Sequence, residues 1–218
     1  MQIFTHLKAG IHSCFYIAPC YPEVIRLEDE LRGVSTVFRS VCRISRQKSL
    51  LYILPCKLMV GNKIFCSVVV VENGRLIGTS DMTHGSGEDF HLSSVFCVHN
   101  TRYGKIGILI DTDVEYFEVG RMLTLMGAEI LLFLGGARRM AYAQSVSNGV
   151  IGIYSHGGKV IAYNALYRKL DDGIRITSLY PITPRPRYRR PQLYELISSS
   201  DEYLATDSSV YSPKQFIK

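Results

Sequence analysis

The stretch at residues 104–134, GKIGILIDTDVEYFEVGRMLTLMGAEILLFL, decides how the rest of the chain is read. Its apolar run at 106–110 is too short for a helix and rich in isoleucine, so it reads as a buried strand. A polar knot follows, Asp111-Thr112-Asp113. Val119, Met122, Leu123 and Met126 then recur at helical spacing, and Gly127 stands where a left-handed cap ends a helix. A second apolar run, residues 130–134, gives the next strand. Strand, sharp polar turn, helix, strand is a unit in which α/β proteins mount a functional residue at a strand end.

Outward from this unit the chain alternates similar pieces. Residues 3–14 read as a helix, with Ile3, Leu7 and Ile11 four apart on one face. Residues 14–19 are a short strand ahead of Cys20-Tyr21-Pro22-Glu23, and 24–47 read as a helix with an irregular middle at Gly33. Residues 50–58 are strand-like, with Pro55 confining them to an edge or a bulge. Residues 64–71, IFCSVVVV, form the strongest strand signal, and Glu72-Asn73-Gly74 is a hairpin turn returning through 76–79.

The 104–134 segment resembles the signature of the nitrilase, or carbon–nitrogen hydrolase, superfamily: G-x-x-I-C-Y-D, then a helix ending in G-A-E before an apolar strand. Gly107, Ile110, Asp113, Arg121, Gly127, Ala128 and Glu129 fall in register, but Asp111 stands where the family carries its nucleophilic cysteine. The 64–79 hairpin resembles the family's hairpin ahead of Y-R-K-x-H. In that span His84 matches, while Met82 stands at the lysine that supports the developing oxyanion. Glu23, after Pro22, matches the family's general base; Pro22 could equally open a helix, with Glu23 at its positive end. Glu88 falls near a supporting glutamate, or is a solvated loop carboxylate. Residues 135–147 and Asn148 resemble the family's R-A-x-E-N helix, followed by a strand at 150–154. Alternatively, 150–162 matches a later hairpin, and the two alignments leave one element missing. Residues 173–176 and the run RRPQLY at 189–194 resemble the last strand and terminus.

The resemblance implies a four-layer α-β-β-α sandwich over residues 1–195, lacking its first edge strand and one later element, with a flexible tail over 196–218. Of the Glu-Lys-Cys triad only Glu23 remains, and losing a nucleophile costs on the order of a million-fold in comparable acyl-transfer triads. The expectation is a non-catalytic binding or regulatory subunit. It would be a homodimer, or a heteromer with an active relative, and would take a small amide or carboxylate ligand. The alternative is a hydrolase of amide, nitrile or carbamoyl substrates in which Glu23 and Asp111 converge as a carboxylate pair. A decayed product of little function is a third reading.

Composition narrows the setting. The 218 residues are 47% hydrophobic and 20% charged, which suits one globular core rather than disorder. No apolar run reaches the ~18 residues of a membrane-spanning helix, and the N-terminus lacks a clean secretory pattern. A cytoplasmic protein is expected. The net charge of +6 owes much to Arg185, Arg187, Arg189 and Arg190. With no nucleic-acid motif beside them, they read as a solvated or interface-bound segment. The six cysteines show no paired metal-ligand spacing. Asp111 and Asp113 share one side of the strand end, with His84 and Asp113 as binding candidates, but no third ligand is near. Neither metal nor cofactor is expected. The run SHGGK at 155–159 lacks the first glycine and the Ser/Thr of a phosphate loop and reads as a tight turn.

Overall fold

Isoleucines and leucines alternate with their neighbours along the strands, and the alternation sorts them into separate cores. The computed structural model describes residues 1–8, 10–85 and 90–183. In chain order the elements are β1 (Gln2–Phe4), β2 (Phe15–Ile17), β3 (Val24–Arg26), α1 (Leu27–Arg32), α2 (Val37–Lys48), β4 (Leu51–Val60), β5 (Lys63–Glu72) and β6 (Arg75–Asp81). There follow β7 (Val98–Thr101), β8 (Gly104–Ile110), a 3-10 turn (Asp111–Glu115), α3 (Phe117–Leu125), β9 (Ile130–Leu134) and α4 (Arg138–Ser147). The last strands are β10 (Ile151–His156), β11 (Lys159–Tyr163), β12 (Tyr167–Leu170) and β13 (Gly173–Ile176).

Two sheets result. One runs β12-β13-β1-β2-β4-β5-β6, with β3 also paired to β4; the other runs β11-β10-β9-β8-β7. Successive strand residues point to opposite faces, so β5 sends Val68 and Val70 one way and Val69 and Val71 the other. Val68 and Val70 meet Ile106, Ile108 and Ile110 of β8 in the core between the sheets. Val69 and Val71 share a second core with Val41 of α2, and Leu109 shares a third with Val119 and Leu123 of α3 and Ala141 of α4. Helices, sheet, sheet, helices: the four expected layers are present.

Four readings are corrected. Residues 3–14 are not a helix. Ile3 lies in β1, and Gly10 (φ 81°) and Ser13 (φ 52°) take left-handed backbone that a helix does not admit. The spacing of Ile3, Leu7 and Ile11 arises from chain folding back on itself: Leu7 and Ile11 pack against the outer core while Ile3 faces the inner one. The first strand is therefore present, between β13 and β2, and no helix lies between β1 and β2 among the described residues. Residues 24–26, read as helix, form β3 alongside Lys57–Met59 of β4. Pro55 occupies an interior strand, at the point where β4 changes partner from β2 to β3 and no parallel-ladder bond is required of its nitrogen.

Elsewhere the readings hold. Asn73 (φ 48°) and Gly74 (φ 83°) make the expected hairpin turn. Both the helix α4 and the hairpin β10–β11 form, end to end, joined to β9 by only residues 135–137. Glu88, the 189–194 run, the arginines at 185–190 and the 196–218 tail lie outside the described residues. No helix among the described residues is long and apolar enough to cross a membrane.

Candidate functional site

β8, β9 and β10 are parallel, and their ends coincide: Ile110 pairs with Leu134, and Leu134 with Ser155. Ligand sites in α/β sheets lie beyond such carboxyl ends. Here a cleft of about 350 Å³ opens there, lined by Ile110 and Asp111, Leu134 and Gly135, and Ser155 to Gly158. The first sheet supplies the opposite wall: Thr5 and His6 after β1, Ile17 to Cys20 at the end of β2, Pro55 of β4 and Cys66 of β5.

Asp111 and Asp113, two residues apart, have opposite surroundings. Asp113 is buried. Its Oδ1 accepts hydrogen bonds from the backbone N–H of Thr83 (2.9 Å), the Thr83 hydroxyl (2.8 Å) and the backbone N–H of His84 (2.7 Å). Its Oδ2 accepts from the Ile110 N–H at 3.2 Å. It therefore clamps residues 83–84 of the first sheet's exit loop to the end of β8. The His84 ring stays beside it, Nδ1 3.7 Å from Oδ1, and packs on Tyr116 at 4.5 Å between centroids. The Thr112 hydroxyl adds a hydrogen bond to the His84 carbonyl.

Asp111 is exposed and lines the cleft, and its carboxylate makes no hydrogen bond or ion pair among the described residues. Its φ of 47° is left-handed, a conformation that costs a non-glycine residue roughly 1 kcal/mol or more but is visited by Asp and Asn more than by others. Gly136 shows how tightly this elbow is held: a Cβ there would stand 2.3 Å from the Asp111 carbonyl oxygen. Tyr154 fixes the same loop through its hydroxyl, which donates to the Gly136 carbonyl at 3.1 Å.

Met82 does not reach the cleft as a charged group would. It is buried in the core between the sheets, with Sδ 3.5 Å from the Thr112 hydroxyl. Glu23 is exposed, in the connection between β2 and β3, and is not among the residues lining the cleft. The structure therefore does not bring Glu23 together with Asp111. The residue that β2 delivers to the cleft is Cys20, through Ala18-Pro19. Pro19 lies two residues past β2, whereas Pro22 comes after Tyr21 has turned to donate its N–H to the Pro55 carbonyl. Cys66, on the neighbouring wall, has its thiol pushed up to about 11, by burial first and then by Cys20, Asp111 and Asp113, so it stays protonated near neutral pH. His6 and His156 were also missed. The SHGGK run was read correctly as a turn, and the parallel order β8-β9-β10 is what puts that turn on the cleft. The described residues contain no group of three or more His, Cys, Asp or Glu side chains placed to hold a metal.

No family model matches this sequence, and no curated protein matches it. Solved structures do. A Saccharomyces cerevisiae member of branch 10 of the nitrilase superfamily superposes with a TM-score of 0.58 at 16% identity, over 90% of this chain and 83% of its own. A carbon–nitrogen hydrolase from Helicobacter pylori gives 0.54 at 14% identity, over 70% and 71%. An amidase mutant from Nesterenkonia sp. AN1, with the acetamide moiety of fluoroacetamide bound to its active-site cysteine, gives 0.53 at 14%, over 84% and 83%.

Proposed function

The chain has the fold of the carbon–nitrogen hydrolases of the nitrilase superfamily, and we propose that it uses this fold to bind a small ligand rather than to hydrolyse one through a thiol. The observation that carries the reading is the end of β8. A carboxylate, Asp111, stands on the elbow facing the cleft, and the nearby Met82 side chain belongs to the apolar core. Thiol-based amide hydrolysis needs a thiolate, a base and a cation about the scissile carbon. A carboxylate is a poor nucleophile toward an amide, and a thioether supplies neither a proton donor nor a positive charge. The exposed Glu23 gives the Glu23/Asp111 hydrolase no support.

A binding subunit also needs a surface for its partner. Phe117, Met122, Leu125 and Met126, on and beside α3, and Tyr142 of α4 are exposed apolar residues on the outer face of the second sheet's helices. That face suits a second copy of this chain or an active relative. A cytoplasmic setting accords with free cysteines buried as small hydrophobes, Cys14 and Cys56 among them.

The test is ammonia release from primary amides, nitriles and carbamoyl compounds by the wild-type chain and by Asp111→Asn. Release from neither supports binding. Release by the wild type that disappears in Asp111→Asn overturns it.

A further inference from the structure

The cleft's charge is unbalanced in a way that indicates what it takes. Among the described residues that line it Asp111 is the one carboxylate, His6 and His156 are the basic side chains, and there is no lysine or arginine. The carboxylate has no hydrogen-bond or ion-pair partner among the described residues. The backbone that carries it is closely backed by Gly135 and Gly136, where an added Cβ would stand 3.6 Å from the Asp111 Cα and 2.3 Å from its carbonyl oxygen, respectively. The walls around it are largely apolar, from Ile17, Pro19, Pro55, Ile110 and Leu134.

An unpaired carboxylate on a tightly backed turn that lines a small, largely apolar cleft favours a ligand with a cationic, proton-donating head and a short apolar body. We propose that the cleft binds a small primary ammonium compound, its head donating hydrogen bonds to Asp111 and its aliphatic chain lying against the apolar walls. The proposal rests on the reading of the cleft as a binding site. Met82 fits the same chemistry, since a lysine at that position would place a competing ammonium beside the turn that carries Asp111. A neutral amide forms weaker, uncharged hydrogen bonds with a carboxylate, and a carboxylate ligand is repelled by it.

The probe is n-butylammonium chloride, titrated into the full chain alongside butyramide and sodium butyrate and followed by amide chemical shifts, with ammonia assayed in the butyramide sample. Saturable shifts are expected at residues 110–111, 134–135 and 155–156 with butylammonium, and binding at least about tenfold weaker with the other two compounds. Asp111→Asn, which keeps a residue tolerant of the left-handed turn, should weaken butylammonium by about tenfold or more. Asp111→Gly serves as the second variant, free of backbone strain, and should do the same. Added salt should weaken the wild type and leave both variants unaffected. No saturable butylammonium binding, an affinity in either variant equal to that of the wild type, or a preference for butyramide or butyrate would overturn the proposal. If butyramide is bound and releases ammonia, the binding reading beneath it falls as well. If butylammonium fails and no ammonia appears, only this inference falls.

Discussion

The two sheets bring their strand ends to the cleft by different means. On the second sheet three parallel strands stop in register, and the turn after β8 is locked by the four hydrogen bonds to Asp113 and by the glycine contact beneath Asp111. On the first, β2 is three residues long, and its exit toward Glu23 is held by Ala18 N–H to the Ile53 carbonyl and Tyr21 N–H to the Pro55 carbonyl. One side positions a carboxylate to within a fixed geometry; the other forms a wall through backbone and small side chains. A site assembled this way keeps its anchor on the β8 side, while the residues contributed from the β2 side can slide along the sequence.

The largest expected effect is on the anchor. Asp113→Ala strands four donors in or near the core, and a loss of about 4 kcal/mol in urea denaturation is expected. A loss below about 1 kcal/mol would mean that the β8 turn is no better fixed than the β2 exit. Gly136→Ala comes next, at about 3 kcal/mol, because its Cβ meets backbone at φ 68° rather than a flexible side chain. A similar substitution at Gly157, where no atom stands within 4 Å of an added Cβ, should cost only the backbone strain of its positive φ.

Leu125→Glu probes the helix face of the second sheet. It should leave the unfolding midpoint nearly unchanged and shift sedimentation toward a smaller species. An unchanged sedimentation profile would remove that face as the partner surface.

His99 gives a smaller, pH-dependent effect. Its buried ring lies 2.8 Å from the Ser80 hydroxyl, and burial holds its pKa below the ordinary 6.5. The unfolded imidazole takes up a proton as pH falls through about 6.5, while the folded one resists until lower pH. Stability from this site is full above pH 6.5 and is lost as pH falls toward the folded pKa. The thermal midpoint should therefore drop less between pH 7.5 and pH 5 in His99→Gln than in the wild type. The smallest effect belongs to Glu23→Ala: a stability change of about 0.5 kcal/mol or less, and butylammonium affinity unaltered.

The same contrast explains what could be read from the sequence. The β8-α3-β9 unit was legible because its information is local. Ile106, Ile108 and Ile110 mark the strand, Val119 and Leu123 the helix face, and Gly127 (φ 102°) the stop. Gly107 had a reason too, since a Cβ there would stand 2.9 Å from that of Leu123. The N-terminal stretch was not legible in this way. A three-residue β1 carries almost no periodicity, and its place is set by β13, more than 160 residues away in sequence (Ile3 pairs with Ile174). That Glu23 does not line the cleft was not legible for a related reason: one Pro-x pair looks like another until Tyr21 and β3 are seen to bond to β4. The place of Asp111 at the end of β8 was legible because its neighbours fixed its register. Cys20, His6 and His156 were not, because only the meeting of two sheets brings them to one cleft.

The most direct test of the central claim is acyl transfer itself. The wild-type chain, Asp111→Asn and Cys20→Ser would each be incubated with short aliphatic amides and hydroxylamine, and hydroxamate measured against a protein-free control. No hydroxamate above control is expected from any of the three. Hydroxamate formed by the wild type and lost in either variant would show that the cleft still makes a covalent acyl intermediate, and would contradict that claim.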